Sequence, residues 1–254
     1  MRTLIAIPIY NERQYVEHVM RRVTALGLDV LVVDDHSTDG TSEFLVGQPD
    51  VDIIRHGRNC GYGQGIIDAF DHAHRRGYDW VVTLDADEQH EPEIIPKFIE
   101  AAAAGDADII SGSRYTDLNV NDDLAPGDRR AINMTLTATL NDLFGWKLTD
   151  SFCGFKIHRV AAMQQLRLDE TGYAFPLQLW PRAFEHKLRV KEIPVKRIYN
   201  DATRTFGGDL DDANRRLKHY LSVLKRELVR IGHDGATCLD SVTIGSPLDC
   251  CGCP

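Results

Sequence analysis

No stretch of the 254-residue chain is an apolar run of the ~18 to 20 residues that span a bilayer. The longest early apolar stretch, Leu4 to Ile9, is broken by Pro8 and closed by Asn11 and Glu12. It is shorter than a signal-peptide apolar region and has no small-residue cleavage site after it. The expectation is a cytoplasmic, water-soluble chain whose membrane contact, if any, is peripheral. Positive charge is also scarce, with 29 Lys plus Arg against 38 Asp plus Glu and a net charge of −9. That balance excludes a general nucleic-acid binder, which needs a basic phosphate-facing surface. The six cysteines form no disulfide framework: Cys60 and Cys153 stand alone, and Cys238, Cys250, Cys251 and Cys253 crowd the end. Without an export signal, reduced thiols are expected. Cys250 and Cys253 with Cys238 and His233 could make a zinc set, but the spacing matches no common zinc module. An unstructured tail is the preferred reading, and Pro254 rules out a prenylation box.

What is present describes a globular enzyme-sized domain, 43% hydrophobic and 26% charged. Short β-type runs alternate with helical spacing, the pattern of a mostly parallel sheet covered on both faces. Strands are expected at Thr3–Ile9, Val30–Val33, Val51–Ile54, Trp80–Leu84 and Asp108–Ser111, with helices at Glu12–Leu26, Gly63–Arg76 and Pro92–Ala104. A short helix follows Ser37 and Thr38. Beyond residue 114 the alternation weakens. A polar loop over Arg114–Pro126 precedes a helix at Ala131–Phe144, a strand at Ser151–Ile157, a helix at Pro176–Phe184 and a strand at Val190–Tyr199. A last helix covers Asp209–Ile231. The boundaries expected are a main α/β domain over 1–206, a C-terminal amphipathic helix over 207–231 and a disordered Cys-containing tail over 232–254.

The chemistry gathers at strand ends. Asp85-Ala86-Asp87 follows the fourth strand, and residues two apart at a strand end project to one side. Asp85 and Asp87 can converge on one divalent cation, with Gln89 continuing that side. Such hard oxygen donors suit Mg²⁺ or Mn²⁺. A solvated turn is the plain alternative. Parallel neighbouring strands bring Pro8-Ile9-Tyr10-Asn11-Glu12 and Asp34-Asp35-His36-Ser37-Thr38-Asp39 to the same edge, where α/β folds bind ligands. Tyr10 could stack on a base and Asp35 could accept a base N–H or a ribose hydroxyl. Helix capping and turn formation compete for the three aspartates, most of all for Asp39. Arg58 to Gly65 resembles a phosphate-binding glycine loop but lacks the dinucleotide fingerprint spacing, so a tight turn before a helix is an equal reading.

Taken together, Pro8-Ile-Tyr-Asn-Glu12, Val33-Asp-Asp-His-Ser-Thr-Asp-Gly-Thr41, Asn59-x-Gly-x-Gly63 and Asp85-Ala-Asp-Glu-Gln-His-Glu-Pro-Glu93 resemble a family 2 inverting glycosyltransferase. Ser111-Gly-Ser-Arg114 and Cys153-Gly-Phe-Lys156 agree in type and order, and the third carboxylate run is most similar to the dolichol-phosphate mannose synthase branch. The resemblance covers about residues 3 to 206. It implies a GT-A fold, a Rossmann-like mostly parallel sheet, with a nucleotide sugar (GDP-mannose or a UDP-sugar) bound through a divalent metal. By position it implies that Pro8, Tyr10, Glu12 and Asp35 hold the nucleoside and that Asp85 lies near ribose and metal. Asp87 would ligate the metal and Gln89 would assist. Arg114, Arg130 and Arg204 stand where that branch binds phosphates, for which an arginine fork is apt. A surface salt bridge is the competing role, strongest for Arg130 beside Arg129. The branch continues its late arginine with Gly-x-Ser-Lys, whereas this chain has Asp209 and Leu210, so one cationic phosphate contact is missing.

The acceptor implied is a polyprenyl phosphate, already an anion and in no need of a general base. A hydroxyl on a soluble sugar or protein would need one, and Asp150, just before Ser151-Phe-Cys-Gly154, is the candidate, weighed evenly against a capping role. A non-catalytic nucleotide-sugar-binding module is the reading from another class. On the last helix, Leu210, Ala213, Leu217, Leu221, Leu224 and Leu228 form one apolar stripe flanked by Arg215, Arg216, Lys218, Lys225, Arg226 and Arg230. Such a helix can lie on an anionic membrane. Packing against the domain is the commoner use and the one preferred here.

Overall fold

The structure, a computed structural model, describes residues 1–116, 127–196, 198 and 208–248. Arg204, the cysteines at 250, 251 and 253 and most of the expected 114–126 loop lie outside the described residues. Strands β1 (Thr3–Ile9), β2 (Asp29–Asp34), β3 (Val51–Arg55), β4 (Trp80–Thr83), β5 (Ile109–Ser113), β6 (Lys156–Arg159) and β7 (Val190–Pro194) form a sheet of order β3-β2-β1-β4-β6-β5-β7. All pairs are parallel except those of β6, which runs antiparallel to both β4 and β5. The doubly covered, mostly parallel α/β sheet expected from the alternation is present.

Helices α1 (Arg13–Thr24), α2 (Thr41–Val46), α3 (Tyr62–Arg75) and α4 (Ile95–Ala103) fall where the apolar spacing placed them. α3 contributes Ile66, Ala69, Phe70 and Ala73 to one core layer together with Leu4, Leu31 and Val81 from the sheet. The opposite layer packs Val16, Val19, Met20 and Val23 of α1 and Ile95 and Phe98 of α4 on Ile5, Ile7 and Val82. This split follows from strand alternation, because successive residues of β1 face opposite sides. Helices α5 (Gly127–Phe144), α6 (Val160–Met163), α7 (Pro176–Glu185) and α8 (Ala213–Arg230) join the first layer.

Three departures from the sequence reading are informative. The strand expected at Ser151–Ile157 begins only at Lys156, because Ser151–Gly154 forms a turn that brings Gly154 against Asp85. The strand expected to reach Tyr199 ends at Pro194, after a last ladder contact in which the Val195 N–H donates to the Ser113 carbonyl at 2.9 Å; residues 197 and 199 lie outside the described residues. The tail expected to be disordered from residue 232 is folded over much of its length. Asp234–Ser241 is a 3₁₀ helix on α8, and Ala236, Leu239, Val242 and Leu248 are buried. Four apolar residues spaced irregularly along a Gly- and Asp-rich segment carry no helical period, yet they suffice to cap an apolar face supplied by α5 and α8.

The apolar stripe of α8 packs on the domain, as the preferred reading had it. Leu217, Tyr220, Val223, Leu224 and Leu228 are buried, and Arg215, Lys218, Arg226 and Arg230 form the outer face. Among the described residues no helix is long and apolar enough to cross a membrane.

Candidate active site

A cavity of about 450 Å³ opens at the C-terminal ends of β1, β2 and β4. Pro8, Tyr10, Glu12 and Asp35 line one end of it, and Asp85, Asp87 and Gln89 line it beside them. Sequence-distant residues meet here because the parallel register sets Pro8 beside Val33 and Ala6 beside Thr83.

The three aspartates after β2 divide their roles. Asp39 serves turns, accepting the Thr41 N–H at 3.0 Å, the Thr41 hydroxyl at 2.6 Å and the Arg13 N–H at 3.0 Å. Burial opposes ionisation of Asp39, but these donors outweigh it and hold its carboxyl below the usual range. Asp34 is buried, accepting the Ser37 N–H at 2.9 Å and the Ser42 hydroxyl. Asp35 faces the cavity and accepts the Cys60 and Gly61 N–H groups at 2.6 and 2.8 Å. The capping alternative thus belongs to Asp39 and the ligand-facing position to Asp35.

The glycine loop is built for close approach. A Cβ at Gly63 would overlap the carbonyl oxygen of Glu170, and one at Gly61, whose φ is +100°, would overlap that of Thr171. The loop therefore packs under the 170–173 segment, where Tyr173 stacks on Tyr62 with centroids 6.0 Å apart. The turn reading of Arg58 to Gly65 is the one that the geometry supports.

The carboxylate rim is held from behind. The Thr83 hydroxyl donates to the Gly154 carbonyl at 2.9 Å, locking the 151–154 turn to β4. A Cβ on Gly154 would collide with the Asp85 carboxylate, so the glycine lets that side chain keep its place. His90 Nδ1 accepts the Asp85 backbone N–H at 3.2 Å. Burial pushes the His90 imidazole down to about 4, so it stays neutral and acts as that acceptor. The Tyr62 hydroxyl is raised well above its ordinary value by burial and by the Asp85 carboxylate beside it. Two carboxylates and an amide on one cavity edge are a hard oxygen set, which fits Mg²⁺ or Mn²⁺ better than a softer metal.

Cationic groups line the other walls. Arg114, at the end of β5, enters the cavity while its Nε and Nη2 hold Asp150 at 2.6 and 3.0 Å. Asp150 also accepts the Asn133 amide at 2.8 Å. Burial disfavours its charge, yet Arg114 more than compensates and keeps the carboxyl below its usual value. Fully buried, saturated with donors and weakly basic, Asp150 is unsuited to take a proton from an acceptor hydroxyl. Of the two roles weighed evenly from the sequence, the geometry favours the structural one, with Asp150 anchoring Arg114.

Lys156, at the start of β6, is buried in the cavity wall, donates to the Cys153 carbonyl and sits 5.5 Å from the Trp180 ring centroid. Burial lowers its ammonium, with the Asp150 and Asp85 carboxylates opposing that effect. The neighbouring Cys153 thiol is pushed up to about 11 by burial and is an inert packing group.

Arg130 is not among the cavity-lining residues: its side chain is exposed and its guanidinium lies 6.0 Å from the Tyr115 ring centroid. Arg129 lines the cavity instead, together with Arg216 and Tyr220 of α8. Arg216 is buried, donating to Asp128 at 2.5 Å and to the Leu210 carbonyl at 2.6 Å. Adjacent arginines at the first turn of a helix point about 100° apart, and sequence order does not say which one faces inward. Lys156, Arg129, Arg216 and Tyr220 were not singled out as site residues from the sequence. The weak amphipathicity of α5 gave Arg129 no face, and the clear stripe of α8 placed Arg216 on its flank without showing what that flank meets.

Comparison with known proteins agrees with this geometry. Residues 4–167 match the model of Glycosyl transferase family 2. The chain is 33% identical over 204 residues to the polyprenol monophosphomannose synthase of Mycolicibacterium smegmatis, covering 76% of each chain. It is 32% identical over 206 residues to the undecaprenyl-phosphate mannosyltransferase of Micrococcus luteus, covering 77% of this chain and 83% of that one. Glucosyl-3-phosphoglycerate synthase from Mycobacterium tuberculosis superposes with a TM-score of 0.68 at 18% identity, covering 91% of this chain and 81% of that one. That likeness supports the GT-A fold. The chain belongs to glycosyl transferase family 2 and is a glycosyltransferase.

Proposed function

We propose that the chain is a metal-dependent inverting glycosyltransferase that moves a sugar, mannose foremost, from a nucleotide sugar to a polyprenyl phosphate. Relatives named for polyprenol- and undecaprenyl-phosphate mannosyl transfer support the acceptor class. Structural neighbours crystallised with Mn²⁺ and uridine-diphosphate-glucose, or with Mg²⁺ and uridine diphosphate, support the metal and the donor class.

One observation carries the choice of acceptor. The carboxylates that line the cavity are Glu12, Asp35, Asp85 and Asp87, all at its nucleoside and metal end, while the α5–α8 side presents Arg129 and Arg216. Beside those arginines stand Phe152 and Tyr220, with ring centroids 5.3 Å apart. Among the described residues, that side offers no base for a hydroxyl. It does offer charge for a phosphate and an apolar wall for the first isoprene units.

In this reading Pro8, Tyr10, Glu12 and Asp35 hold the nucleoside, and Arg204 is an additional donor contact. Asp85, Asp87 and Gln89 hold the cation, which would neutralise charge on the donor diphosphate. Arg114, fixed by Asp150, directs its guanidinium at the phosphates and stabilises charge that grows as the sugar–phosphate bond breaks. Arg129 orients the acceptor phosphate for in-line attack, a contribution of position more than of proton transfer. Residues 1–206 carry the donor chemistry, and 207–231 complete the acceptor side. The protein works peripherally at the cytoplasmic membrane face, with the basic outer face of α8 toward anionic headgroups.

The test is transfer from GDP-mannose and from UDP-sugars, with Mg²⁺ or Mn²⁺, to undecaprenyl phosphate in detergent, against soluble sugar acceptors. Lipid-linked product is expected. Transfer to a soluble hydroxyl acceptor alone would overturn the acceptor assignment.

A further inference from the structure

His56 lies just past the end of β3, outside the cavity, between the carboxylates of Asp35 and Asp68. Its Nδ1 is 2.6 Å from Asp35 Oδ1 and its Nε2 is 2.7 Å from Asp68 Oδ2. Its side chain is 9% exposed and that of Asp35 8%. A carboxylate ion only accepts hydrogen bonds, so two such contacts require both ring nitrogens to carry a proton. That form is the imidazolium.

Asp35 then accepts from His56 and the Cys60 N–H on Oδ1 and from the Gly61 N–H on Oδ2. A carboxylate offers about four lone-pair sites, so three donors leave one, on Oδ2, for a ligand. His56, Asp35 and Cys60 are also close enough together to suggest a metal set. The hydrogen bonds argue otherwise, because both His56 nitrogens and Asp35 Oδ1 are already spent on one another and on backbone donors.

We propose that His56 is a positioning residue for donor binding: as an imidazolium bridging Asp35 to Asp68 on α3, it fixes the Asp35 carboxylate with one oxygen site directed at the nucleoside. This rests on the assignment of Asp35 to the nucleoside. Loss of the proton would place a nitrogen lone pair against a carboxylate lone pair at about 2.6 Å, and the cradle would loosen. The groups facing His56 are Asp35 after β2, Asp68 on α3, the Cys60 thiol in the glycine loop, and His36, whose Nδ1 lies 3.4 Å from the His56 carbonyl. Gln64 secures Asp68 through a 3.0 Å amide contact. Burial disfavours the charged imidazole, but the two carboxylates outweigh it and raise His56 above its ordinary value. The bridge is complete below that ordinary value and is lost as pH rises through the raised one.

The experiment has two readouts on the full chain. The first is ring-proton NMR titration of His56 in wild type and in Asp68→Asn without nucleotide. A His56 midpoint above the free-histidine value, lowered in D68N, is expected. A midpoint at or below the free value overturns the proposal. The second is calorimetric binding of UDP and GDP with Mg²⁺, and donor KM and kcat, for wild type, His56→Gln, Asp68→Asn and Asp35→Asn. His56→Gln should raise Kd and KM by about tenfold, the equivalent of one pKa unit of coupling, with kcat within about threefold. As pH rises above the ordinary histidine value, wild-type affinity should fall more steeply than that of H56Q. D35N weakening binding while H56Q does not would overturn the role of His56 alone. D35N leaving binding unchanged would overturn the nucleoside assignment and this proposal with it.

Discussion

Arg114 grips Asp150 with two parallel hydrogen bonds, Nε to Oδ2 at 2.6 Å and Nη2 to Oδ1 at 3.0 Å, and Asp150 is wholly buried beneath it. A fork of this kind fixes the plane of the guanidinium and therefore the direction of its remaining edge. Substituting Asp150→Asn should cost about 3 kcal/mol, because Arg114 keeps its charge and loses its partner. Urea denaturation at neutral pH reads that loss, and kcat should fall at least about tenfold as Arg114 is released. Since its carboxyl is held below the usual value, the Asp150 contribution is present above the carboxylate range and lost as pH falls. The acid limb of the stability curve should accordingly flatten in D150N.

Asp87→Ala should abolish metal-stimulated donor turnover while leaving the melting temperature nearly unchanged, since Asp87 lies on the cavity rim. Chelation of wild type with EDTA should reproduce the loss, and Mn²⁺ should restore wild type but not the variant. Activity assays with a parallel thermal melt decide it.

Gly154→Ala places a methyl into the Asp85 carboxylate. Either Asp85 or the 151–154 turn must move, at a cost of about 1–3 kcal/mol. The expected signature is weaker metal affinity, read as a higher Mn²⁺ requirement for activity, in a chain that still melts cooperatively.

The two neighbouring arginines separate cleanly. Arg129→Ala should raise the KM for the lipid phosphate by about tenfold, as expected for one lost charged hydrogen-bond donor. Arg130→Ala, on the exposed side, should change it by less than about twofold. Equal effects would remove the cavity placement of Arg129 as the reason.

On α8, Leu224→Ala should destabilise the whole domain by about 2–5 kcal/mol, because Leu224 is fully buried against it. Denaturant midpoint measures this. A helix that only rested on a membrane would tolerate the change in solution.

Much of the cavity lining was legible in the residues because its parts are local. Asp85, Asp87 and Gln89 follow one buried strand, Pro8 to Glu12 follow another, and parallel strands bring their ends together whatever the side-chain detail. The division of labour among Asp34, Asp35 and Asp39 was legible in part: Asp39 read as the foremost cap and Asp35 as a ligand contact, while the role of Asp34 stayed open. All three suit turns and ligands alike, and the positions of Thr41, Ser42 and the Cys60-Gly61 backbone separate them. For Asp150 the sequence could not choose between base and cap, because only its partner Arg114 sets the balance.

The order of strands and helices, the two-faced burial of β1, the carboxylate rim and the apolar stripe of α8 are properties of the sequence, because periodicity and strand-end chemistry act over a few residues. Other features depended on contacts between distant segments. The antiparallel insertion of β6 put Gly154 against Asp85, and Arg114 neutralised Asp150 across 36 positions. His56 was clamped between Asp35 and Asp68, and α8 turned Arg216 and Tyr220 into the cavity. Ionisation and hydrogen-bond saturation are set by what lies within a few ångströms, and that neighbourhood exists only once the chain has folded.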